Sequence, residues 1–129
     1  MAGYRTALGR ARGLGSAKHG VGHFIAERVT SVALAPLSLW LIWFCVEVAR
    51  GGWVAAQALL SSPVQAALAS LTLVVGLYHA MIGMRVVIED YIHKTSTKAV
   101  LLILNTFVGW AAAAVGVVSL LKIAFTAAP

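Results

Sequence analysis

Three long apolar runs constrain this chain more than any other feature of its 129 residues. They cover about residues 29–48, 64–88 and 98–125. A helix needs about 20 such residues to cross the hydrocarbon core of a bilayer, and these segments have that length. In lipid, every backbone N–H and C=O must be paired inside the protein, so runs of this kind dictate helices. The composition agrees, with 60% hydrophobic and 11% charged residues and a mean hydropathy of +0.90. A water-facing surface needs about a quarter of the residues charged, which excludes an ordinary soluble domain. The chain reads as an all-α, integral membrane protein with three transmembrane helices.

The punctuation between the runs fits this reading. Pro36 lies within the first run, where a membrane helix accepts a kink. Arg50-Gly51-Gly52 breaks the helix, and residues 53–62 form a short interfacial piece with Trp53 at its start. Ser61-Ser62-Pro63 supplies a helix cap and first position for the second span. Lys94-Thr95-Ser96-Thr97-Lys98 is the polar turn before the third. The one cysteine, Cys45, sits in the first run as a small packing residue.

Charge gives the orientation. The net charge is +6, and Arg5, Arg10, Arg12, Lys18 and Arg28 all precede the first run. No aromatic or RNA-binding pattern accompanies them, so the excess reads as a cytoplasmic flank with no nucleic-acid partner. Residues 1–28 form a retained basic tail, and residues 29–125 the three-helix anchor domain. Lys94 and Lys98 put the second loop on the same cytoplasmic side, against Arg50 alone in the first loop and Lys122 near the C-terminus.

Polar groups inside the second run carry the functional signal. At 100° per residue, Thr72, Val75, Gly76, Gly83, Val86 and Asp90 project within about 60° of His79. Gly76 and Gly83 bracket the imidazole one turn away on each side, which lets a neighbouring backbone or a flat ligand approach closely. One reading is helix packing, with His79 hydrogen-bonded to another helix. The other is an axial ligand to a b-type haem, because a neutral imidazole at mid-membrane suits that role. His19, His23 and His93 fall outside the runs, so a second axial histidine has to come from a partner subunit.

At the membrane edge, Arg28 reads as a positive anchor or as a guanidinium for an anionic group such as a propionate. Glu27 and Glu47 read as interfacial charges, and Arg85 projects about 120° from His79, to snorkel or meet a partner. Asp90 opposes the dipole of its own helix end, which points to a cationic partner or a function. Tyr91 is a headgroup aromatic or a hydrogen-bond donor to a quinone carbonyl.

The run His79-Ala80-x-Ile82-Gly83-Met84-x-x-Val87-x-x-Asp90-Tyr91 resembles the second transmembrane helix of the succinate dehydrogenase membrane anchor family, the hydrophobic D subunit of respiratory complex II. His23-Phe24-Ile25-x-x-Arg28-x-Thr30-Ser31 is similar to that family's entry into its first helix. Gly13-Leu-Gly-Ser-Ala-Lys18 resembles the tail of alphaproteobacterial members. The resemblance implies His79 as an axial ligand of haem b, the other axial histidine coming from the C subunit. It implies Arg28 near the haem propionates, Tyr91 as donor to the ubiquinone headgroup, and Asp90 as its acidic neighbour. It also implies an iron–sulfur subunit and a flavoprotein subunit docked on the cytoplasmic side of a bacterial inner membrane, with membrane lipid around the helices. Arg85 and Val86 stand where the family's glutamine and tryptophan pattern is not kept. Two alternatives stand beside this reading: a fumarate reductase anchor working with menaquinone, and a cofactor-free structural or assembly protein.

Overall fold

The computed structural model describes residues 6–13 and 20–126, which are almost wholly helical. Helix α1 spans Ala7–Ala11, α2 Gly20–Leu60, α3 Pro63–Tyr91 and α4 Thr95–Thr126. Three of them are long and apolar enough to cross a membrane, so the protein is a multi-pass membrane protein. Arg5, Lys18 and His19 of the basic flank lie outside the described residues.

Each helix starts and stops where the local chemistry requires. Ser62 occupies the N-cap of α3 and Pro63 its first turn, where a missing N–H costs nothing. The break expected at Arg50-Gly51-Gly52 falls on Gly52, whose φ 62° and ψ −149° are non-helical and divide the 41 residues of α2 into two helical stretches. That conformation is open to glycine and strained for a residue with a Cβ. Helix α2 begins at Gly20, so residues 20–28 of the basic flank continue the helix of the first run. Once the apolar segment has nucleated the helix, adding residues at its end requires no new nucleus. The third helix likewise starts at Thr95, three residues before the expected edge of the run, leaving Ile92–Lys94 as the turn.

Helix α3 packs between α2 and α4, which touch each other little. Its buried positions include Ala66, Ala69 and Thr72, small residues that bring the backbones close. On α4, a Cβ built at Gly109 would overlap Met81, and one at Gly116 would overlap Leu73. These two glycines are seven residues apart and receive α3 side chains as knobs. Polar bonds tie the same interfaces. Trp40 Nε1 donates to Gln65 Oε1 at 2.8 Å, and Asn105 Nδ2 donates to the Met81 carbonyl at 3.0 Å. The outer surface is apolar, with Val32, Leu39 and Phe107 all more than two-thirds exposed, as a lipid-facing surface requires.

Candidate functional site

His79 sits half-buried on α3, facing the first half of α2. Its Nδ1 lies 2.8 Å from Oγ1 of Thr30, which is 9% exposed. The direction of this bond follows from the threonine. Its hydroxyl sits 2.8 Å from the Ala26 carbonyl and 3.1 Å from that of Glu27, the back-bonding arrangement of a threonine inside a helix. A hydroxyl has one hydrogen, and in the tautomer that suits this back-bonding it goes to a backbone carbonyl. The oxygen is then an acceptor toward the ring, so Nδ1 carries the proton and Nε2 keeps a bare lone pair. A metal-binding imidazole is built this way, with one nitrogen anchored by its N–H and the other free to coordinate.

The glycines flanking His79 divide the work expected of both. A Cβ at Gly76 would rest 4.0 Å from Leu34 Cδ2, so this glycine belongs to the α2–α3 contact. A Cβ at Gly83 would meet nothing within 4 Å. The open, small face therefore lies on the Gly83 side of the imidazole. One anchored imidazole beside clear space fits a flat macrocycle ligated through Nε2, which tests the haem expectation on the residues present. It fits equally a single protein-derived ligand with the second from elsewhere.

The other expected residues are more dispersed. Arg28 is exposed, with its guanidinium 4.8 Å above the Phe24 ring, and at 100° per residue it projects about 160° from Thr30. It does not join the His79–Thr30 pair. Asp90 and Tyr91 close α3 about 18 Å along the axis from His79, and Tyr91 is 76% exposed. The strand of backbone beneath them is fixed from α4, where Lys98 Nζ donates to the Glu89 carbonyl at 2.8 Å. A lysine at a helix C-terminus satisfies an orphan carbonyl and offsets the negative end of the dipole. That supplies the cationic partner expected near Asp90, acting on the helix end rather than on the carboxylate. Arg85 pairs with Glu89, Nε to Oε1 at 2.8 Å. Glu47 pairs with Arg50 at 3.7 Å, an exposed contact of little weight.

Thr30 is the partner of His79 that the sequence left without a role. It was visible as a hydroxyl in an apolar run, but its partner lies 49 residues away, and only packing brings them together.

The sequence comparisons bear on the same segments. Residues 2–119 match the family described as succinate dehydrogenase/fumarate reductase transmembrane subunit. The chain belongs to that family. It is 37% identical over 108 residues to the succinate dehydrogenase hydrophobic membrane anchor subunit of Rickettsia conorii, covering 78% of this chain and 82% of that one. It is 34% identical over 122 residues to the protein of the same description from Paracoccus denitrificans, covering 92% of each. No solved structure matches. Family membership makes this a subunit of an oxidoreductase complex, and the three apolar helices are its anchor domain.

Proposed function

We propose that this chain is the hydrophobic anchor subunit of a succinate:ubiquinone oxidoreductase. In this reading it holds haem b with a second anchor subunit, the C subunit, and forms part of the ubiquinone-reduction site. The observation that carries the proposal is the Thr30–His79 bond, which with Nδ1 as its donor frees Nε2 of His79 for a ligand. When bound, haem b would supply a one-electron redox centre within the membrane.

The chain's own residues do the positioning. Thr30 holds the imidazole in the Nδ1–H tautomer and fixes its rotation. Gly83 keeps side-chain atoms off the adjoining face. Arg28, at the end where α2 leaves the membrane, offers a guanidinium to a propionate; its side chain is long and exposed, so it can reorient from Phe24. Tyr91 donates its phenolic O–H to a quinone carbonyl, and Asp90 beside it accepts and releases protons as ubiquinone is reduced to ubiquinol. Electrons reach this edge from an iron–sulfur subunit fed by a flavoprotein subunit, both docked at the end of the bundle that carries Gly20, Tyr91 and Thr95.

A reduced-minus-oxidised spectrum of the purified complex tests the ligand. His79→Ala is expected to abolish the b-type α band while all four subunits remain together; an unchanged band sinks the assignment. Tyr91→Phe is expected to slow succinate-dependent ubiquinone reduction about tenfold or more, within the range for one positioned proton donor. Succinate oxidation with a soluble artificial acceptor should persist. Equal loss of both activities would make Tyr91 structural.

A further inference from the structure

A second polar site lies on the other side of α3 from the open Gly83 face. The N-terminal turns of α2, the last turns of α3 and the first half of α4 enclose a cleft of about 690 Å³. His23, Tyr78, Arg85, Glu89, Asn105 and Trp110 contribute polar groups to its wall. Among them His23, Arg85 and Glu89 have unused capacity. The His23 Nε2 atom is buried and has no hydrogen-bond partner among the described residues. Arg85 engages Glu89 through Nε alone, which leaves its two terminal nitrogens as donors, and Glu89 keeps a second carboxylate oxygen. By contrast, the Asn105 amide is already committed to the Met81 carbonyl.

The charges restrict what can bind. An anion alone would meet Glu89, and a cation alone would meet Arg85. A ligand carrying both signs, a short link apart, pairs with each. The depth restricts it further, because Arg85 and Glu89 lie within the last two turns of α3, where an apolar helix meets the headgroups. The cleft also does not end in water. It continues into a groove of about 300 Å³ that shares Arg85, Asn105 and Thr106 and runs out along Leu102, Ile103 and Phe107 of α4. Ile103 and Phe107 are 57% and 72% exposed. Polar walls leading onto an apolar strip describe an amphiphile, not a free phosphate ion.

We propose that this cleft binds one phospholipid whose headgroup joins a phosphate to a primary ammonium, as in phosphatidylethanolamine. The phosphate accepts from the terminal nitrogens of Arg85 and from His23. The ammonium donates to Glu89. The acyl chains follow Leu102, Ile103 and Phe107 into the bilayer. A choline headgroup fits less well, because its trimethylated nitrogen has no N–H to give Glu89. The proposal is independent of the haem and quinone assignments.

Native mass spectrometry of the whole complex tests it, in detergent micelles carrying equal amounts of phosphatidylethanolamine, phosphatidylcholine and phosphatidylglycerol. The wild-type complex is expected to retain the ethanolamine lipid about tenfold over the choline lipid, the ratio that one charge-assisted bond supplies. Glu89→Gln should erase that preference while lipid is still bound. Arg85→Gln should lower retention of all three, and Arg85→Lys, which keeps a point charge, should restore part of it. Millimolar inorganic phosphate should leave the bound lipid in place. Equal retention of the three lipids by wild type overturns the proposal, as does an unchanged preference in Glu89→Gln. Displacement of the lipid by phosphate would make this a free-anion site and overturn it too.

Discussion

The Thr30–His79 bond makes a sharp prediction, because one atom can be removed with little change of shape. Thr30→Val keeps the side-chain volume and deletes Oγ1. The Nδ1–H of His79 then faces a wall that is 9% exposed at residue 30, with no acceptor in place of the hydroxyl. An unsatisfied buried donor costs about 1–3 kcal/mol. The ring can recover part of that by turning, but turning also moves Nε2 away from the position it must hold for a ligand. Loss of such an outer partner typically weakens metal binding by about 10–100-fold, or about 1.4–2.7 kcal/mol. Helix association suffers less, since interhelical hydrogen bonds in membranes average about 0.6 kcal/mol. The Trp40–Gln65 bond also still joins α2 to α3. The expected signature is therefore an assembled complex that loses haem to an excess of an apo-globin acceptor about 10–100 times faster than wild type. Its haem potential should also be altered, because the anchored N–H raises the basicity of the ligating nitrogen. Thr30→Ser, which retains the hydroxyl, should behave as wild type. Thr30→Val complex that keeps its haem with unchanged transfer rate and potential would refute the tautomer argument.

Other perturbations follow from the same geometry. Gly83→Leu should leave helix packing within the chain intact, since a Cβ there meets nothing; its effect should appear as lost haem or lost pairing with the second anchor subunit, read by spectrum and by subunit ratio. Gly116→Val places side-chain atoms on Leu73, and overpacking of this kind costs about 1–3 kcal/mol; thermal dissociation of the complex should occur several degrees earlier. Gly52→Ala puts a Cβ at φ 62° and ψ −149°, a strain of about 1–3 kcal/mol, and should destabilise the complex without changing its absorption spectrum.

Much of this fold was legible because lipid removes options. Apolar runs of spanning length can only be helices, and Gly52, Ser62 and Pro63 mark breaks and starts through their own backbone chemistry. Gly20–Arg28 was not legible as helix: glycines and charges give no local signal, and those residues are ordered by continuing a helix nucleated downstream. At the site, His79 was visible as an ionisable group in an apolar run. Its meaning was not, since the tautomer depends on Thr30 and hence on which face of α2 meets α3. Arg85 shows the same limit. Helical phase put it away from His79, but only the side-by-side packing of three helices revealed a cleft around it.

Helix α4 carries none of the residues assigned to haem or quinone, yet it indexes the one that carries most of them. It meets α3 through four contacts at three heights: Gly116 against Leu73, Gly109 against Met81, Asn105 on the Met81 carbonyl, and Lys98 on the Glu89 carbonyl. Those points run over about 24 Å of the α3 axis. A helix sheathed in uniform hydrocarbon has no preferred spin about its own axis, and a slip of one residue would swing His79 by about 100° from Thr30. Pinned at three levels, α3 keeps a single rotational phase. The imidazole and Tyr91 therefore hold a fixed angular offset, and a change on α4 that frees the spin should disturb both at once.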